Sequence, residues 1–346
     1  MKVTGYARLV GVTACLWAAS ATALDTGARS QVVDAFAAHL EQRYVFADTG
    51  RALAAELRQQ QAAGAFGALA TPQALAEQLT AIAQRVTRDK HLTVVFDPNA
   101  ATHEPLGTPL QRRQSNHGFE RVQRLPGNIG YLDLRYFDDL PQALTLATAS
   151  MTWLAHTDAL IFDLRRNDGG EPATIRYLQS YLFDTPTLLN SLHYRDPTAP
   201  GGWRIVDYVT LAEVPGPRYA SSKPIRVLTS ARTFSGGEEF AYNLQTRGRA
   251  RVIGEATGGG AHPGATFALG HGLHANVPTG RAVNPITGSN WEGRGVLPDH
   301  ALPAEQALSH AQVELLQWIV ARESDPARRT ALERRAQALQ AGAPAL

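Results

Sequence analysis

Cysteine is almost missing: Cys15 is the only one in 346 residues. That excludes an internal disulfide. Once the start of the chain is removed, it also excludes a cysteine nucleophile and a cysteine-based zinc site. Lysine is nearly as scarce. Lys2, Lys90 and Lys223 are the only ones among 33 basic residues, and the others are arginines. Excess charge is lacking too. The formal net charge is +2, and loss of Lys2 and Arg8 would bring it to 2 − 2 = 0. A neutral chain offers no electrostatic footprint for nucleic acid or an anionic membrane. Beyond the first 23 residues there is no apolar run long enough to span a bilayer, and no internal repeat. The full chain is 44% hydrophobic and 18% charged, a balance that suits a folded protein of one large or two modest domains.

Residues 1–23 read as a secretory leader. Lys2 and Arg8 give a positive start, 9–19 is a short apolar stretch, and Ala21-Thr22-Ala23 precedes a cut before Leu24. Val12-Thr13-Ala14-Cys15 also resembles a lipoprotein processing site, which would leave Cys15 lipidated. Either way the mature chain is expected to be exported, secreted or periplasmic, with no stable membrane insertion.

Residues 24–88 form the expected N-terminal helical subdomain. Val32, Val33, Phe36 and Leu40 fall at helical spacing, and Thr71-Pro72 opens a further helix. A core follows over 89–305. Apolar β-type runs at 129–134, 160–164, 225–229 and 251–254 alternate with helical patterns at 141–154, 173–183 and 236–246. That alternation predicts an α/β fold with a mixed, largely parallel crossover sheet. Residues 306–346 form a C-terminal helical extension. Its last piece, 326–339, is charged enough to read as peripheral.

Two turns draw attention. The strand 225–229 runs through Ser230-Ala231-Arg232-Thr233-Phe234 into Ser235-Gly236-Gly237 and a helix. A serine at a helix start sits beside free N–H groups and the positive end of the dipole. The Gly236 N–H is thus a candidate oxyanion donor to a carbonyl attacked by Ser235. A helix cap is the competing reading for Ser235. The second turn is Asn167-Asp168-Gly169-Gly170 at the end of a buried strand. Gly169 or Gly170 is a candidate second donor. The turn lacks the glycine and lysine spacing of nucleotide-binding loops. Thr233 departs from the G-x-S-x-G elbow of α/β-hydrolases.

Four segments occur in order: L-R-R-N-D-G-G (164–170), T-F-S-G-G-E (233–238), G-E-A-T-G-G-G-A (254–261) and G-R-G-V-L-P-D (293–299). Together they resemble the tail-specific (C-terminal processing) serine peptidase family over roughly residues 30–305. The resemblance implies a crotonase-like or ClpP-like core. One branch of the family pairs serine with a lysine in T-x-G-K, but here Gly260 stands at that position. Lys223 precedes the strand that feeds Ser235 and so falls at its far end. The other branch resembles interphotoreceptor retinoid-binding protein and the tricorn protease core, and uses serine, histidine and glutamate. The resemblance then implies Ser235 as nucleophile, His91 of Asp89-Lys90-His91-Leu92 as general base and Glu292 as its partner. Where that pattern has a serine before the histidine, this chain has Lys90, so a Lys90-based mechanism stays open. A PDZ domain has no room in 97–127, which leaves specificity to the cleft and to 190–222.

His262, His271 and His274 lie in glycine-rich sequence without helical zinc spacing, so neither a metal nor a cofactor is expected. Glu238 and Glu239 read as first-turn acids of the helix. The expected function is an exported serine peptidase acting on peptides or unfolded protein ends. A non-catalytic binder of apolar ligands such as retinoids or fatty acids, and an esterase, are the alternatives. Self-association into a homo-oligomer is left open.

Overall fold

The computed structural model describes residues 23–98 and 107–346. Residues 1–22 of the leader, Cys15 among them, and the segment 99–106 lie outside the described residues. Three helices come first: α1 (Thr26–Arg43), α2 (Ala47–Ala62) and α3 (Pro72–Thr87). Asp25 caps α1 by accepting the Ala28 N–H at 2.7 Å, and Thr71 caps α3 through Ala74. The strand β1 (Thr93–Phe96) follows.

The chain continues through α4 (Pro109–Gln114), β2 (Phe119–Leu125), β3 (Ile129–Leu134), α5 (Leu140–Leu154), β4 (Ala159–Asp163) and α6 (Pro172–Ser180). Then come β5 (Leu188–Arg195), β6 (Trp203–Val209), β7 (Ile225–Thr229), α7 (Gly236–Thr246) and β8 (Arg251–Gly254). Last are β9 (Gly264–Gly270), β10 (Leu273–Pro278), β11 (Gly280–Val283), β12 (His300–Ala301), α8 (Ala304–Val320) and α9 (Pro326–Gln340).

The central sheet has six strands in the order β12-β8-β7-β4-β3-β2. Only the β2–β3 pair is antiparallel, so the fold is α/β with a largely parallel sheet, as the alternation of elements predicts. Its inner strands are buried on both faces. Leu132, Leu134, Leu160, Phe162 and Val227 face α5, α6 and α7. Ile129, Tyr131, Ile161, Leu228 and Ile253 face α8 and α9. Side chains alternate across the sheet with period two.

Two small sheets flank this core, β1-β10-β9 and β11-β5-β6. The first completes the N-terminal helical core, since Leu92, Val94, Leu273 and Val277 pack with Phe36, Leu40, Leu53 and Leu79. The second places the first part of 190–222 in the β5–β6 hairpin, with irregular chain over 210–222. The helix α9 is less peripheral than its charge suggests, because Leu332, Ala336 and Leu339 are buried. The crossovers bring the C-terminal ends of β4 and β7 side by side, where α/β sheets place their ligands.

Candidate active site

The turn after β7 is held by its own polar side chains. The Thr233 hydroxyl donates to the Leu164 carbonyl at 2.7 Å, and the Phe234 N–H to the Asn167 carbonyl at 3.0 Å. Ser235 is thereby forced to φ +51° and ψ −117°. A non-glycine residue there stores about 1–3 kcal/mol of strain. The surroundings enforce it: the Ser235 N–H donates to Glu238 Oε2 at 2.9 Å, and the Ser235 carbonyl accepts from Glu238 and Glu239.

The 167–170 turn lies directly on this serine. A Cβ on Gly169 would fall 2.8 Å from the Ser235 Cβ, and one on Gly236 would fall 3.0 Å from the Gly170 nitrogen. Gly169 is at φ +104° and Gly170 at φ +127°, so glycine is required by shape and by backbone alike. The two glycines differ in what they can offer. The Gly169 N–H already donates to Asn167 Oδ1 at 2.9 Å. Among the described residues the N–H groups of Gly170 and Gly236 donate to nothing. Two free, neighbouring donors therefore lie beside Ser235.

The His91 ring rests on Phe234 with centroids 4.7 Å apart. Asn276 Nδ2 donates to the His91 carbonyl at 2.7 Å, and the His91 N–H donates to Asp89 Oδ1 at 3.0 Å. His91 Nδ1 is buried without a partner, and no hydrogen bond joins the ring to Ser235 among the described residues. Burial holds the imidazole below its ordinary value, Asp89 opposes this, and His262 adds to it. Gly260 explains why no lysine stands at its position. A Cβ there would come within 2.3 Å of Phe234 Cζ and 2.6 Å of His91 Cε1. Lys90 itself is exposed, and its Nζ donates to the Gly258 carbonyl at 2.5 Å. Lys223 is engaged elsewhere, donating to the Ala155 carbonyl at 2.9 Å.

Glu292 meets His91 inside a partly buried cluster. Ligand-type atoms of Asp89, His91 and Glu292 lie within 4.8 Å of one another. Glu292 Oε2 accepts the Ala261 N–H at 2.5 Å, while Oε1 is buried with no partner. Burial pushes its carboxyl up to about 7; His262 pulls it down and Asp89 pushes it further up.

Three residues to which sequence reasoning gave no catalytic role, Asp89, His262 and Tyr44, complete this cluster. His262 Nδ1 lies 2.7 Å from Asp89 Oδ2 and 3.5 Å from Glu292 Oε2, so one imidazole bridges two carboxylates. Tyr44 donates to Asp89 Oδ2 at 3.3 Å. The only signal for Asp89 was its place two residues before His91. His262 looked like part of a loose histidine group, yet His271 sits at a hairpin turn beside Gln31. Glu238 proves to be more than a first-turn acid. It accepts from Ser235, from the Thr257 hydroxyl, from Gly259 at 2.6 Å and from Gly260 at 2.8 Å. It ties the serine turn to the glycine loop. Glu239, one helical turn past Ser235, is buried and pushed up to about 7 by loss of hydration.

A strained serine beside two free amide donors, with a half-buried imidazole and carboxylate nearby, is equipped for acyl transfer. These features define a hydrolase of the serine type. The family described as Peptidase family S41 matches residues 128–302, and the N-terminal domain of Peptidase S41 in eukaryotic IRBP matches 19–121. The chain belongs to peptidase family S41 and is a serine-type peptidase. Among solved structures, a putative peptidase from Parabacteroides merdae is similar at 18% identity and TM-score 0.56. The match covers 80% of this chain and 90% of that one. A lipoprotein from Streptococcus agalactiae is similar at 17% identity and TM-score 0.53, over 85% and 97%. The tricorn protease is similar at 13% identity and TM-score 0.55, over 90% of this chain and 37% of its own. At these identities the likeness is one of fold.

Proposed function

We propose that Ser235 is the nucleophile, His91 the general base and Glu292 the group that steadies the charged imidazole. His91 takes the hydroxyl proton as Ser235 Oγ attacks the substrate carbonyl. The oxyanion is received by the N–H groups of Gly170 and Gly236, with Gly169 shaping the turn that presents Gly170. His91 then returns the proton to the leaving amine, and water resolves the acyl-enzyme by the reverse sequence. The His91–Ser235 hydrogen bond is made when substrate arrives, as catalytic hydrogen bonds commonly tighten only in the substrate complex. His262 holds Glu292 in place, and Lys90 braces the 257–260 loop from outside.

The observation that carries this reading is the pair of free amide donors packed on a strained serine. The substrate is a peptide or an unfolded protein end. A cleft of about 500 Å3 is lined by Val45, Phe46, Arg195 and Trp203, and the Phe46 ring meets His262 edge-on at 5.4 Å. Phe46 is the point at which this cleft touches the catalytic cluster. A serine-directed fluorophosphonate should label the wild type and not Ser235→Ala. His91→Ala should slow labelling and peptide hydrolysis by about 10²- to 10⁴-fold. An unlabelled, folded wild type that binds a fatty acid tightly would establish the apolar-ligand alternative instead. Wild-type activity retained in His91→Ala and lost in Lys90→Ala would move the base to Lys90.

Export belongs to the proposal. A cut before Leu24 would leave that residue first, and Leu24 is buried with its N–H on the Ala70 carbonyl at 3.0 Å. Among the described residues no helix is long and apolar enough to cross a membrane. N-terminal sequencing of chain recovered outside the cytoplasm should begin near Leu24. A sequence beginning at a lipid-modified Cys15 would mean anchoring.

A further inference from the structure

A second cluster of ligand-type side chains sits away from the cleft, where β12 meets α8. His310 and Glu314 are four residues apart on α8 and so share a face. His310 Nε2 lies 3.2 Å from Glu314 Oε1, and His300 Nδ1 of β12 lies 3.8 Å from the same oxygen. The two imidazole rings are 3.9 Å apart, centroid to centroid. All three donor atoms fall within 4.8 Å of one another. The other carboxylate oxygen, Oε2, accepts from Arg226 Nε at 2.7 Å. Arg226 comes from the central strand β7 and is itself buried. The carboxylate is thus held by one oxygen while the other faces both imidazoles. This is how outer partners orient metal ligands.

We infer that His300, His310 and Glu314 form a binding site for a divalent transition ion of the zinc class. Zinc takes nitrogen and oxygen ligands at about 2.0–2.2 Å, which places tetrahedral neighbours about 3.3 Å apart. The His310–Glu314 separation already meets this, and His300 has to move in by about half an ångström toward Glu314 Oε1 and to within the same spacing of His310. The side chains of His300 and His310 are 42% and 31% exposed, so an ion and a completing water can reach them. Burial would raise Glu314, but Arg226 and Arg251 outweigh it and hold the carboxyl below its ordinary value, in the ionised form a metal requires. Arg251 is the opposing feature, with NH1 3.8 Å from Glu314 Oε1; it is half exposed and free to turn outward. The ion would be structural. β12 is held to the sheet by only two parallel pairs with β8, and a metal would pin it to the helix covering that sheet face.

The test is calorimetric titration of metal-free chain with zinc chloride. One zinc per chain is expected, with an apparent Tm raised by roughly 2–5 °C at saturation. His300→Ala and His310→Ala should each weaken binding by more than about 10-fold while peptide hydrolysis is unchanged. Arg251→Ala should tighten it. The same titration on His91→Ala separates this site from the catalytic cluster, whose Asp89, His91 and Glu292 are also ligand types. Circular dichroism of each variant checks that it is folded. Binding that persists in the His300→Ala/His310→Ala double variant, binding lost in His91→Ala, or no binding to the wild type would each overturn the inference.

Discussion

Glu292 is half-buried beside Asp89, and one of its oxygens has no partner. Its proton is therefore held up to about 7, against an ordinary value of 4.5. Between those values the folded chain keeps a proton that the unfolded chain has released. Stability is therefore lost as pH rises through that window, and the loss is complete above it. Glu292→Gln should accordingly raise Tm relative to wild type more at about pH 8 than at about pH 5. The same variant should lose about 10²- to 10⁴-fold in kcat/KM, since the imidazolium loses its counter-charge. Wild-type kcat/KM should climb with pH through about 7, as Glu292 ionises. A flat profile would remove Glu292 from the mechanism. Gly169→Ala would set a Cβ 2.8 Å from the Ser235 Cβ at φ +104°. That costs about 1–3 kcal/mol in strain and should cut kcat, checked by active-site titration. Ser235, Gly170 and Gly236 were legible because a serine or glycine at a strand-to-helix turn has a local reason to be there. The Asp89–His262 pair was not, because its partners are 173 residues apart and meet only in the folded chain.

The elements that carry the site are loops braced across the sheet, and the 257–260 loop shows how tightly. Glu238 of α7 receives three of this loop's donors, Thr257, Gly259 and Gly260. Gly260→Lys tests whether a Ser-Lys arrangement could be installed. The new Cβ would collide with Phe234 and His91, so the variant should lose activity and about 1–3 kcal/mol of stability. Denaturant unfolding with a peptide assay would show it; retained activity would mean the loop can open. The core strands and their helices were readable because both faces of the sheet are buried. The hairpins β5–β6 and β9–β10 were not. β6 runs half-buried to exposed along its length, and β9 buries only Leu269. Backbone pairing makes β6 and β9 strands, since neither carries a run of buried apolar residues.

At the scale of the whole molecule the sheet has two unequal covers. α5, α6 and α7 cover the face that builds the site, whereas α8 and α9 cover the other. None of the residues assigned to catalysis comes from α9. That helix adds Leu332, Ala336 and Leu339 to the second core, plus an exposed Arg328–Asp158 ion pair worth little. Its two buried leucines are worth about 1.5–3 kcal/mol each. Deletion of 326–346 should therefore lower Tm clearly yet leave kcat/KM near wild type for the folded fraction. Deletion of 304–346 should behave differently in kind. It would bare Ile129, Tyr131, Ile161, Leu228 and Ile253 as one apolar face, and the chain should aggregate rather than fold. Size-exclusion chromatography with thermal melts and peptide hydrolysis separates the outcomes. A folded 326–346 deletion that has lost hydrolysis would mean that the second cover reaches the site through the sheet. The division of labour between the two faces would then be wrong.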